Sequence, residues 1–131
     1  MGRVKKNGYI ALISVIIIGA IVLALVLAIT LITLSQSQNM IGQNQALKSY
    51  YLANACAHYA LNKLQDNINY FGNETVVIDN YNCQVEQILG SGNFNRTIKT
   101  SSNVNDHLIK IEMVVSQIKP KTIIKSWQEI F

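Results

Sequence analysis

Residues 9–34 read YIALISVIIIGAIVLALVLAITLITL. These 26 residues are Ile, Leu, Val and Ala after an opening Tyr, relieved by one Ser, one Gly and two Thr. No charged residue lies between Lys6 and Lys48. As a helix the stretch extends about 39 Å at roughly 1.5 Å per residue. A bilayer core of about 30 Å asks for about 20 residues, so the run is long enough to cross. A lone span in lipid must pair its own backbone groups, which only a helix does. Its many β-branched residues do not change that.

Working outward, residues 1–8 carry Arg3, Lys5 and Lys6 and no acid. Positive charge before an apolar span holds that end in the cytoplasm and sends the rest across. The expectation is a single-pass inner (cytoplasmic) membrane protein with an extracytoplasmic C-terminal part. A cleaved secretory signal has an apolar region of about 7–15 residues closed by a small-residue site. This run is longer, and no A-x-A site closes it. Within it, Ala20, Ala24 and Ala28 recur every four residues beside Gly19, a smooth stripe along which another helix can approach.

The chain has 131 residues, of which 50% are apolar and 14% charged, against about 25% charged in soluble proteins. That excludes a purely soluble globule and a disordered tail. About 97 residues remain beyond the span, a small domain with little room for an enzyme core. The net charge is +4, but three of the 11 basic residues sit before the span. The remainder is nearly neutral, so charge gives little support for nucleic acid as a partner.

Residues 35–39 are polar but hold no Gly or Pro, and Gly42 is the one weak point before Gly72. Tyr50, Ala53, Ala57, Leu61, Leu64 and Ile68 recur at helical spacing. This predicts one helix over about 9–65, roughly 85 Å long. A fainter second stripe is Met40, Leu47, Tyr51, Ala55 and Tyr59. After Gly72 the period changes. Residues 75–78, 82–89, 96–100 and 108–115 are strand-like, separated by turns at 79–80, 90–92 and 101–106. Pro120 precedes a last edge strand over 122–127, in which Trp127, with Phe131 beyond it, is read as packing. The fold class is α+β: a long N-terminal helix packed by a small C-terminal antiparallel β-sheet, with segments 1–8, 9–34, 35–68 and 69–131.

Cys56 on the helix and Cys83 in a strand make, outside the cytoplasm, a disulfide. Closing a loop of about 28 residues contributes about 3.6 kcal/mol in the chain-entropy description. Two unpaired thiols are the alternative. Cys56, His58, Cys83 and His107 have the residue types of a metal set, but a Cys-x-His pair on a helix points two ways and no Cys-x₂₋₄-Cys is present. No metal or cofactor is expected. Nucleophile, metalloprotease, Walker and dinucleotide motifs are absent, and the carboxylates are scattered singly, so no enzyme is expected. Gly90-Ser91-Gly92 is a turn. Asn73-Glu74-Thr75 and Asn95-Arg96-Thr97 match the short glycosylation sequon. Lys119, Lys121 and Lys125 either touch an anionic polymer, nucleic acid or glycan, or guard an edge strand; the second is the usual role.

A short basic leader ending in Gly8, followed by Tyr9 and an apolar helix, resembles a type IV prepilin or pseudopilin. The resemblance is specific over the first 34 residues and architectural beyond. It implies cleavage between Gly8 and Tyr9 by prepilin peptidase, N-methylation of Tyr9, and a pilin-like fold. It also implies assembly with other pilin-like subunits on assembly platform proteins. The family usually has Glu at the fifth mature position, where this chain has Ile13. That Glu is thought to neutralise a neighbour's amine in the apolar filament core, since an unpaired buried charge is costly. Members lacking it include PilX-type minor pilins and the K-type pseudopilin. Residues 50–64, YYLANACAHYALNKL, are similar to their Ala-rich stretch. The expected function is a structural minor subunit of a type IV pilus-like or type II secretion-like filament. The other reading is a signal-anchored binding or adhesion domain that never polymerises.

Overall fold

A computed structural model describes residues 2–131, with side chains from Gly8 onward. The element order is α1 (Gly2–Asp66), β1 (Gly72–Ile78), β2 (Tyr81–Gln87), β3 (Phe94–Val104), β4 (His107–Gln117) and β5 (Ile123–Ile130). The chain divides into two units, Met1–Ile41 and Gly42–Phe131. The first is helix alone. The second is the rest of α1 packed on a five-stranded antiparallel sheet in the order β1-β2-β3-β4-β5.

The helix begins earlier than the sequence led us to expect, at Gly2 rather than near Tyr9. No breaker separates residues 2–8 from the apolar run, so the helix propagates backwards even though no acid favours its first turn. It ends at Asp66, close to the expected point, where Asn67 N–H returns to Lys63 C=O at 2.8 Å. Lys63 in the last turn complements the helix dipole. The Asn67 carboxamide then accepts from Asn69 N–H at 2.9 Å and turns the chain toward β1.

Two hairpins of the meander turn on two residues each. Asp79 and Asn80 have φ of 49° and 65°, and Asn105 and Asp106 have 49° and 67°. Paired positive φ values define the turn whose twist matches antiparallel strands, and Asn and Asp tolerate that region best after Gly. The turn expected over 101–106 shrinks accordingly to Asn105-Asp106. Ser101, Ser102 and Asn103 look like loop residues, yet they continue β3, because Ser102 and Val104 alternate into the interior. β2 stops at Gln87, short of Leu89. Ile88 turns into the core, and Leu89 keeps only an isolated bridge to Thr97. β1 starts earlier than expected, at Gly72. There φ is +74° and an added Cβ would meet the Glu86 carbonyl, so glycine is required. β5 extends beyond Trp127 to Ile130.

The core of the second unit lies between α1 and one face of the sheet. From α1 it takes Leu52, Ala53, Cys56, Ala57, Ala60, Leu61 and Leu64. From the sheet it takes Cys83, Val85, Ile98, Val104, Ile111, Met113 and Val115, with Ile88 and Ile118 from the connections. The expected stripe is therefore correct in its middle and wrong at both ends. Tyr50 is exposed and sits edge-on to Tyr51, while Ser49 takes the buried place; Ile68 falls beyond the helix. Four alanine and cysteine positions let β3 come close to the helix axis, and a tyrosine would hold it off. Phe131, read as packing, is fully exposed instead.

A left-handed position in the first hairpin gives a stability test. Asn80→Gly removes residual strain and raises stability by about 0.5 kcal/mol, while Asn80→Val lowers it by about 1–2 kcal/mol. Denaturant unfolding of the full chain in detergent reads both; equal midpoints for the two variants would contradict the turn assignment.

Candidate functional site

The first candidate surface is the apolar stretch of α1 over residues 9–34. Every side chain over residues 9–34 is exposed in the single chain, on all sides of the helix. An α-helix that is apolar around its whole circumference belongs in lipid or inside a helix assembly. Its serine and threonine hydroxyls are already paired within the helix. Ser14 Oγ donates to Ala11 C=O at 2.8 Å, Thr30 Oγ1 to Val26 and Leu27 C=O at 2.9 and 2.8 Å, and Thr33 Oγ1 to Ile29 C=O at 2.8 Å. These hydroxyls therefore ask nothing of a neighbour. The helix is long and apolar enough to span a membrane.

Gly8 and Tyr9 lie inside α1, and Tyr9 is exposed. The side chains of Arg3, Lys5 and Lys6 fall outside the described residues. Ile13 offers only hydrocarbon. Gly19, Ala20, Ala24 and Ala28 are exposed, with no protein atom near a Cβ built on Gly19. Met40, Leu47 and Tyr51 of the fainter stripe are also exposed, whereas Ala55 and Tyr59 are half-buried, the Tyr59 ring under Lys63 Nζ at 5.5 Å.

The second surface is the junction that fixes the sheet to the outer half of α1. Cys56 and Cys83 form a disulfide with Cα atoms 6.3 Å apart, both residues buried. Their sulfurs are spent on each other, which removes them from the metal set considered above. His58 is exposed and meets Trp127 edge to face at 4.6 Å, while His107 opens β4. Among the described residues no three His, Cys, Asp or Glu side chains come together as a metal site.

Polar ties not visible in the sequence complete the junction. Thr100 Oγ1 donates to Ala53 C=O at 2.8 Å. Ser49 and Ser102 hydroxyls lie 2.8 Å apart, and each also reaches the other's backbone carbonyl. On the β5 side, Trp127 Nε1 donates to Asn54 Oδ1 at 2.8 Å, and Gln65 Nε2 to Thr122 Oγ1 at 2.6 Å. Arg96 clamps the far end. It is buried, and its guanidinium donates to the carbonyls of Ile68, Tyr70 and Gly92 at 2.9, 3.1 and 3.2 Å. Burial draws its ionisation below the ordinary arginine value. Its alternation with Ile98 and Thr100 was the available signal for its inward direction. Burial, and then donation to the Glu74 carboxylate, push Tyr70 well above the ordinary phenol range.

The three C-terminal lysines are exposed and scattered. Lys119 and Lys121 flank Pro120, after a cis peptide bond, and Lys125 stands out of register in β5. Asn73 and Asn95 of the two sequons are exposed at positive φ, beside turns.

Thiol labelling of the unreduced chain should find no reactive cysteine, and reduction should lower the stability of the second unit by about 3–4 kcal/mol. Two labelled cysteines before reduction would contradict the bridge.

No protein-family model matches the chain, and neither a curated protein nor a solved structure matches it.

Proposed function

We propose that this chain is a minor subunit of a type IV pilus-like or type II secretion-like filament, held in the inner membrane before assembly. The observation that carries the reading is the helix over residues 9–34, apolar and exposed on every side. It follows a basic stub ending in Gly8 and continues without a break into a helix that carries a sheet. In the membrane, lipid covers the anchor. In a filament, the corresponding helices of other pilin-like subunits cover it. Lipid tails are as apolar as leucine, so the exchange has almost no hydrophobic cost, and packing decides it. Prepilin peptidase removes residues 1–8 and methylates Tyr9, leaving the stub's charges behind. The sheet faces water, where the disulfide keeps it on the helix.

Ile13 supports a minor place for the chain. A subunit without a carboxylate there offers no partner to the amine of the next one, so it does not supply the repeating charge pair of a filament shaft. Assembly platform proteins and other pilin-like subunits are its partners. No catalytic step and no cofactor are part of the proposal.

The test is the mature N-terminus, read by mass spectrometry on protein from a host with active prepilin peptidase. The expected result is a chain that begins at Tyr9 with one added methyl group and co-purifies with sheared surface filaments or secretion filaments. A chain that keeps residues 1–8 and stays wholly in the membrane fraction would replace this reading with the anchored, non-polymerising binding or adhesion domain.

A further inference from the structure

The two edges of the sheet are built differently. β5, at one edge, is blunted. Lys125 stands in a bulge between the pairs Val114–Ser126 and Val115–Ile124, and Pro120 and Lys121 precede the strand. Bulges, lysines and prolines are the devices that stop an edge from pairing. β1, at the other edge, is GNETVVI, with no lysine, no proline and no bulge. Its one carboxylate is engaged on its own chain, because Glu74 accepts from the Tyr70 hydroxyl.

The register fixes which β1 backbone groups are free. The two-residue turn at Asp79-Asn80 makes Ile78–Tyr81 a hydrogen-bonded pair, and alternation then gives Val76–Cys83 and Glu74–Val85. Thr75 and Val77 therefore turn their N–H and C=O groups away from the sheet. Both side chains are exposed, and Val77 is 67% exposed, high for a valine in a sheet.

We propose that two copies of this chain pair through their β1 edges, antiparallel about a two-fold axis, so that two sheets become one. Centring the pair on Val76 sets Thr75 opposite Val77 of the second copy, and Val77 opposite Thr75. This register joins the outward N–H and C=O groups of both strands and gives β-branched cross-strand pairs. It sets Glu74 opposite Ile78 and Asn73 opposite Asp79, so no like charges meet. Because β5 is blunted, pairing stops at two copies and does not propagate into a ribbon. The contact is small, so the dimer is weak. It stands apart from filament assembly, since it uses neither the anchor helix nor cleavage at Gly8.

Sedimentation of the full chain in density-matched detergent micelles tests it, over concentrations up to about 0.5 mM, a range suited to a weak contact. Wild type should shift from monomer to dimer. Val77→Lys and Thr75→Lys should each remain monomeric, while Lys125→Thr should dimerise like wild type. Both β1 substitutions fall on exposed side chains, and an intact disulfide with an unchanged circular-dichroism spectrum verifies their fold. A wild-type chain that is monomeric throughout would overturn the proposal. So would a dimer that survives both β1 substitutions, which would belong to the anchor helix, or one lost on Lys125→Thr.

Discussion

The second unit depends on how closely β3 approaches the outer half of α1. Alanine and cysteine at positions 53, 56, 57 and 60 leave the helix surface low. The strand comes near enough for Thr100 to reach the Ala53 carbonyl and for Ser102 to join Ser49. A buried hydroxyl without a partner is costly, so these pairs also penalise any slip of the sheet along the helix. A one-residue slip would turn Thr100 and Ser102 outward and bring Lys99 and Ser101 inward. The disulfide, the Arg96 clamp and the Trp127–Asn54 bond then act at three other places around the same contact.

The two parts of α1 present different surfaces. Over residues 49–64 its inner face is covered by protein, and short residues there are a packing solution. Over residues 9–34 its side chains are exposed, and a surface apolar all round suits lipid or other helices. Hydrogen bonding follows the same division. Over residues 9–34, serine and threonine hydroxyls return to their own helix; at the sheet, Ser49 donates across to Ser102 C=O and Thr100 of β3 donates back to Ala53 C=O. A small domain buries too little surface to be robust alone, which gives one disulfide a large share of its stability.

Much of this was legible in the residues. The long apolar helix was legible in the length of the run and the absence of charge. The sheet showed in the alternation of Ile109, Ile111, Met113 and Val115 and in the Asp-Asn turn. Polar residues used in the interior were harder to read. Ser101–Ser102–Asn103 has a loop's composition, yet it is strand, because a hydroxyl that finds a partner across the interface satisfies burial. Ser49 hid behind Tyr50 for the same reason: the face was set by which residues are short, and apolarity alone points to the wrong one. Arg96 reads as a surface residue until the carbonyls of the chain between α1 and β1 are counted as its acceptors. At the N-terminus, the early start of the helix reflects propagation from a strong helix across a weak segment, which local propensity does not report.

The C-terminal part of α1 and the sheet form one cooperative unit tied at β3, to which residues 9–34 do not belong. Hydrogen exchange on the full chain in lipid nanodiscs, comparing wild type with the Thr100→Val, Ser102→Ala double variant, tests this most directly. Protection over residues 49–64 and over β3 is expected to fall by the same amount, while protection over residues 12–32 does not change. Full protection retained over residues 49–64 while β3 loses its own would contradict it.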